Sequence, residues 1–215
     1  MDKLRIFNVK WTSTSAGPSL DNNKRTEIFL AGCKKAEEGH PCKGCFNQEL
    51  WKHNHFMHEC TPEEAYEQIK KFAPNKYITF VGGEPLDQAD LLLDLCKLLK
   101  ADDYHIIIIT HYTAEEILES NHILYWKLVN YTDVLIDGEY NESQRIWDED
   151  KAGDGLHDVI GSGNQCIYDF HRGRKEGGVE GTYAGDLVGM AMKRNEDLIF
   201  IVKDKKEVAE RSVAV

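Results

Sequence analysis

Short apolar runs alternate along this chain with polar, glycine-marked stretches. Residues 4–9 and 26–31 read as strands, and the polar stretch 12–24, which carries Gly17-Pro18, as the loop between them. A helix begins after Thr61: Thr is a good N-cap, Pro62 suits the first helical position, and Glu64 completes a capping box. Ala65, Ile69 and Phe72 give that helix an apolar stripe. Residues 77–81 form a short strand ending at Gly82-Gly83. Residues 87–100 form a helix with Leu91, Leu92, Leu95, Leu98 and Leu99 inward. Residues 105–110, built on four consecutive Ile, read as a strand buried on both faces. Helices over 113–120 and 122–130 follow, then a buried strand over 133–137.

The order strand, helix, strand, helix, strand is that of a parallel α/β sheet with right-handed crossovers. Such sheets bind ligands beyond the C-terminal ends of their strands. Cys33, Gly82, Thr110 and Asp137 each lie at or just after a predicted strand end, which gathers four chemical positions at one rim.

The chain has 215 residues, enough for one domain with a real core. A net charge of −11 argues against nucleic acid or an anionic membrane as the main partner, since both need a basic face. No apolar run is long enough to span a bilayer, and residues 1–10 are too charged for a secretory signal, so a cytoplasmic location is expected. Six Cys in such a chain read as metal-binding, redox or buried residues rather than a disulfide framework.

Cys33, Cys42 and Cys45 stand in the spacing C-x8-C-x2-C, and Gly44 allows the turn that points the last two sulfurs inward. Three thiolates can hold a metal or cluster and leave one coordination position open, and an open position implies chemistry. The same residues with His40, His53, His55, His58 or Cys60 could instead make a Cys3His zinc site. Gly82-Gly83-Glu84-Pro85 is either an ordinary turn or a place where a charged amino-acid group meets bare backbone. Asp137 is either a cap or loop anchor, or an acceptor for ribose hydroxyls. Residues 161–165, Gly-Ser-Gly-Asn-Gln, form a turn or part of a ligand rim. Cys96 reads as core, Cys60 as structural, and Cys166 as buried or near the site.

Taken in order, these motifs resemble those of the radical S-adenosylmethionine enzymes, and among them the activating proteins of anaerobic (class III) ribonucleotide reductase. The resemblance covers residues 4–170: Gly17-Pro18, Arg25-Thr26-Glu27-Ile28-Phe29, Gly32-Cys33, Cys42-Lys43-Gly44-Cys45-Phe46-Asn47, Trp51, Gly82-Gly83-Glu84-Pro85-Leu86, Asp133-Val134-Leu135-Ile136-Asp137-Gly138 and Gly161-Ser162-Gly163-Asn164-Gln165. It implies a partial (β/α) barrel of the radical SAM type with mostly parallel strands. It also implies a [4Fe-4S] cluster on Cys33, Cys42 and Cys45, with the fourth iron chelated by S-adenosylmethionine. Gly82, Gly83 and Glu84 would then bind the methionine amino group, Thr110, Asp137 and Asn164 the rest of the nucleoside, and Phe46 would pack near the adenine. The implied reaction is reductive cleavage of S-adenosylmethionine to a 5′-deoxyadenosyl radical that places a glycyl radical on the reductase. A flavodoxin-like or other external donor would supply the electron.

The family spacing is C-x3-C-x2-C, whereas residues 34–41 lengthen the first gap to eight. That costs only about 1 kcal/mol of closure entropy, so the ligand set survives and the insertion reads as a bulge. The alternatives are an activase of another glycyl-radical enzyme, a small-molecule radical enzyme of the same family, or a zinc-binding interaction module. Residues 1–170 are expected to form the core and 171–215 an extension packed on it. Residues 171–178 read as a flexible basic loop, 198–202 as a late strand and 205–211 as a short helix.

Overall fold

The computed structural model describes residues 3–13, 24–120, 122–145, 161–169 and 174–177. Among the described residues eight strands form one mixed sheet: β1 (Leu4–Ser13), β2 (Arg25–Leu30), β3 (His58–Cys60), β4 (Tyr77–Gly82), β5 (His105–Ile109), β6 (Val134–Asp137), β7 (Cys166–Asp169) and β8 (Arg174–Gly177). Their order is β3-β1-β2-β4-β5-β6-β7-β8. The four central strands, β2, β4, β5 and β6, are parallel neighbours, and antiparallel strands complete both sides. Five helices, α1 (Lys34–Glu37), α2 (Pro62–Phe72), α3 (Ala89–Ala101), α4 (Ala114–Glu119) and α5 (Ile123–Val129), connect the strands up to β6.

Strand register separates the two faces of the sheet. Ile28, Phe80, Ile108 and Leu135 stand side by side across the parallel strands. They join Ala65 and Ile69 of α2, Leu92, Leu95 and Leu99 of α3, and Leu128 of α5 in one apolar core. The adjoining rung, Glu27, Thr79, Ile107 and Val134, points to the other face and is part polar.

The local signals act as expected where they are strong. Thr61 accepts from the Glu64 amide while Glu64 accepts from the Thr61 amide, and Thr113 and Glu116 make the same reciprocal pair at α4. Cys96 is fully buried in α3. Three expectations need correction. Residues 34–41 are not a bulge: they begin with the single-turn helix α1, for which Cys33 is the N-cap residue. Residues 171–178 are not wholly loop, because 174–177 pair with β7 as β8. Phe72 leaves the apolar stripe and is 48% exposed, packing against Trp11 at 5.4 Å. Cys60 lies in β3, which no sequence periodicity announced. The segments 198–202 and 205–211 lie outside the described residues.

Candidate active site

The parallel strands deliver their chemistry to one rim. Gly82 and Asp137 end β4 and β6, Thr110 follows β5, and Cys33 follows β2 after Ala31-Gly32. The tight arrangement at β2 and β4 explains the paired glycines. The Gly83 amide donates to the Leu30 carbonyl (2.8 Å) and the Glu84 amide to the Gly32 carbonyl (2.7 Å). Gly82 has φ +120°, and a Cβ there would lie 2.5 Å from the Leu30 backbone; one on Gly83 would collide with the Gly32 carbonyl. Glycine is thus needed so that the segment carrying Cys33 can cross the end of β4.

Glu84 lies beneath this crossing, fully buried. Its Oε1 accepts from the Leu86 amide (2.8 Å) and the Thr110 hydroxyl (2.8 Å). Its Oε2 accepts from the His111 amide (2.9 Å) and lies 3.5 Å from His111 Nε2. Burial pushes the Glu84 carboxyl above the ordinary range, and His111 opposes that shift. Thr110 is therefore a partner of Glu84. Asp137 is buried too: Oδ2 accepts from the Ala114 amide at the start of α4 (2.7 Å), and Oδ1 from the Cys166 amide of β7 (3.1 Å). It joins helix to strand, which is the anchor reading.

The cysteine loop folds over the rim from α1. The Gly32 and Cys33 amides donate to the Leu50 and Trp51 carbonyls (2.8 and 2.9 Å). Gly44 turns the loop at φ +77°, and the Glu142 amide donates to the Lys43 carbonyl (3.0 Å). Lys35 of α1 pairs with Glu139 at 2.5 Å, so the insertion is tied to the segment after β6. Asn47 Nδ2 donates to the Gly82 carbonyl (2.9 Å) and fastens the loop to the paired glycines. Phe46 is 55% exposed, with its ring 4.3 Å from Tyr140 and the Arg145 guanidinium over it. Asn164 donates to the Glu139 carbonyl (2.7 Å), while Gln165 bridges the Gly138 carbonyl and the amides of Gly161 and Ser162.

All six cysteines are free thiols. Cys33 and Cys42 sense one another electrostatically, as do Cys42 and Cys45. Burial pushes the Cys33 thiol up to about 12 and the Cys42 thiol up to about 11. Trp51 Nε1–H donates to Cys45 Sγ (3.4 Å). Among the described residues no three His, Cys, Asp or Glu form a group suited to one metal ion, so a Cys3His zinc site is not preformed. His53 Nδ1 instead faces Glu37 (2.7 Å) and His55 Nδ1 the Glu49 carbonyl (2.6 Å). Three neighbouring soft donors suit a cluster, whose ligands serve separate irons and stand farther apart than ligands gathered on one ion.

Asn47, Trp51 and Gln165 stand in motifs that the sequence singles out, but with no individual role, and His111 stands in none. Asn47 and Trp51 could have been suspected from their places just beyond the third cysteine. His111 carries no local signal.

The family described as a 4Fe-4S single cluster domain matches residues 22–165, and the chain belongs to it. It is a radical S-adenosylmethionine activase of the glycyl-radical type, an oxidoreductase whose cofactors are a [4Fe-4S] cluster and S-adenosylmethionine. It is similar to the anaerobic ribonucleoside-triphosphate reductase-activating protein of Vibrio cholerae, 31% identical over 154 residues, 68% of this chain and 88% of the relative. The protein of the same name from Enterobacteria phage T4 is 26% identical over 133 residues, 57% of this chain and 77% of the relative. The pyruvate formate-lyase-activating enzyme of Clostridium pasteurianum is 27% identical over 182 residues, 82% of this chain and 65% of the relative. No helix among the described residues is long and apolar enough to cross a membrane.

Proposed function

We propose that the glycyl-radical protein this chain acts on is the anaerobic ribonucleoside-triphosphate reductase, and that Cys33, Cys42 and Cys45 hold three irons of the cluster. The observation that carries the target is one of length. The Vibrio cholerae reductase activator is matched over 88% of its own chain, and the Clostridium pasteurianum lyase activator over 65%. A second reading, activation of a pyruvate formate-lyase, is favoured by the larger share of this chain, 82%, that the lyase activator matches.

When bound, the cluster and S-adenosylmethionine supply one-electron cleavage of the sulfonium and, through it, hydrogen-atom abstraction from glycine. The chain's part is positioning. Asn47 and the Gly32–Glu84 contact fix the cysteine loop against the end of β4. Gly82 and Gly83 put bare backbone beside Cys33, where the methionine end of the cofactor would lie. The Glu84 carboxylate, already engaged by Leu86, Thr110 and His111, orders that backbone from below. Asp137 does the same for the nucleoside side by joining α4 to β7. Phe46 is exposed enough to meet the adenine, and Asn164 bonds the Glu139 carbonyl next to Tyr140, on which the Phe46 ring packs.

The four parallel strands, in a sheet that among the described residues ends at β3 and β8 without closing, suit a partial barrel of the radical SAM type, whose mouth would admit a protein loop. Residues 1–170 are proposed as the core and 171–215 as its extension. Cleavage of S-adenosylmethionine consumes one electron per turn, and a flavodoxin-like protein or another external donor in the cytoplasm is its proposed source.

The reconstituted protein, reduced and given S-adenosylmethionine, should raise a glycyl-radical electron paramagnetic resonance signal on the anaerobic reductase. A signal on pyruvate formate-lyase alone would replace this target with the second reading.

A further inference from the structure

Trp51 is the residue that touches both ends of the cysteine set. Its carbonyl accepts from the Cys33 amide (2.9 Å), and its indole Nε1–H donates to Cys45 Sγ (3.4 Å). The neighbouring Leu50 carbonyl holds the Gly32 amide (2.8 Å), and Leu50 itself is buried, so the backbone under Trp51 is fixed. The indole is thus pre-aimed at a sulfur rather than left to find it.

A thiolate sulfur accepts a hydrogen bond more strongly than a thiol, because the acceptor is charged. The reduced form of an iron–sulfur cluster carries one more negative charge than the oxidised form. A donor aimed at a ligating sulfur therefore stabilises the reduced form more and raises the reduction potential, one of the recognised ways a protein sets that potential.

We propose that Trp51 is a positioning residue that sets the reduction potential of the cluster through its indole N–H on Cys45, so that an external one-electron donor can reduce it. The inference rests on the reading that Cys33, Cys42 and Cys45 carry the cluster.

Trp51→Phe keeps an aromatic side chain and the backbone carbonyl that holds Cys33, and removes the N–H donor with part of the ring. The midpoint potential of the reconstituted protein is read by redox titration followed by electron paramagnetic resonance, alongside iron and sulfide content. The expected result is a potential more negative than that of the parent, with iron content per folded chain unchanged. An unchanged potential in a variant that assembles its cluster overturns the inference and leaves the cluster reading standing. Failure of the parent chain itself to assemble a cluster overturns both.

A measurement on the unaltered sequence covers the case in which the variant does not fold. The protein is labelled with indole-¹⁵N tryptophan and its reduced cluster examined by pulsed electron paramagnetic resonance. A ¹⁵N coupling to the cluster spin supports the hydrogen bond, and its absence overturns it.

Discussion

Two neighbouring parts of the rim treat their polar atoms in opposite ways. At the ends of β4, β5 and β6, Glu84, Thr110 and Asp137 are buried: the two carboxyls accept from the chain's own donors, and the Thr110 hydroxyl donates to Glu84 and accepts from the Tyr112 amide. In the loop over them, Cys33, Cys42 and Cys45 stay thiols with no partner cysteine, and among the described residues a side-chain donor reaches them from Trp51. The first part is a frame, and the second is the proposed ligand set held by that frame. An acidic residue at a strand end in a cofactor-binding protein is easily read as a contact to the cofactor. Here the buried acids satisfy backbone amides, which would otherwise be orphaned beneath the site at a cost of about 1–3 kcal/mol each.

Substitutions should therefore separate the two parts. The largest effect is expected from Cys42→Ala or Cys45→Ala, which should abolish cluster assembly and S-adenosylmethionine cleavage. Unfolding of the metal-free chain should stay within about 1 kcal/mol of the parent. Iron analysis and denaturant titration read the two quantities, and a Cys variant that kept its cluster would merge ligand set and frame.

Glu84→Ala should behave in the opposite way. It strands the Thr110 hydroxyl and the Leu86 and His111 amides in a buried position, and should destabilise even the metal-free protein by about 3 kcal/mol. An unchanged unfolding midpoint would remove Glu84 from the frame.

The thiols make a pH prediction. Burial raises Cys33 to about 12 and Cys42 to about 11, from an ordinary value of 9.0. Above that ordinary value the unfolded chain releases protons that the folded chain still holds, so the stability of the metal-free protein should fall as pH rises toward 11 to 12. Equilibrium unfolding at a series of pH values checks the sign; stability that rose over this range would contradict it. The smallest effect is expected from Lys35→Ala. It removes the ion pair from α1 to Glu139, both partly exposed, and should cost about 0.5 kcal/mol in unfolding experiments.

Much of the frame was legible from sequence because its signals are local. Thr61 and Thr113 head helices with Glu three residues on, and the apolar runs at 77–81 and 105–110 could hardly be anything but buried strands. The placement of Cys33, Gly82, Thr110 and Asp137 at one rim followed from strand order alone. What escaped depends on contacts distant in sequence. β3 has three residues and exists because it pairs with Leu4–Ile6, and β8 exists because it pairs with β7. Phe72 has the helical spacing of a core residue, yet it sits at the end of α2 beside Trp11. The insertion at 34–41 gained a helix rather than a bulge because Asp87, 53 residues away from Lys34, accepts the Lys34 amide at 2.6 Å. The same limit hid what Asn47 and Gln165 bind: the Gly82 carbonyl across the rim and the Gly138 carbonyl after β6.

The central claim is that the three cysteines hold a cluster with one iron left for S-adenosylmethionine. Its most direct test is anaerobic reconstitution with iron and sulfide, followed by electron paramagnetic resonance of the reduced protein with and without S-adenosylmethionine. The account predicts about four irons per chain and a spectrum that changes when S-adenosylmethionine is added. Stoichiometric zinc without iron, or a cluster whose spectrum ignores S-adenosylmethionine, would contradict it.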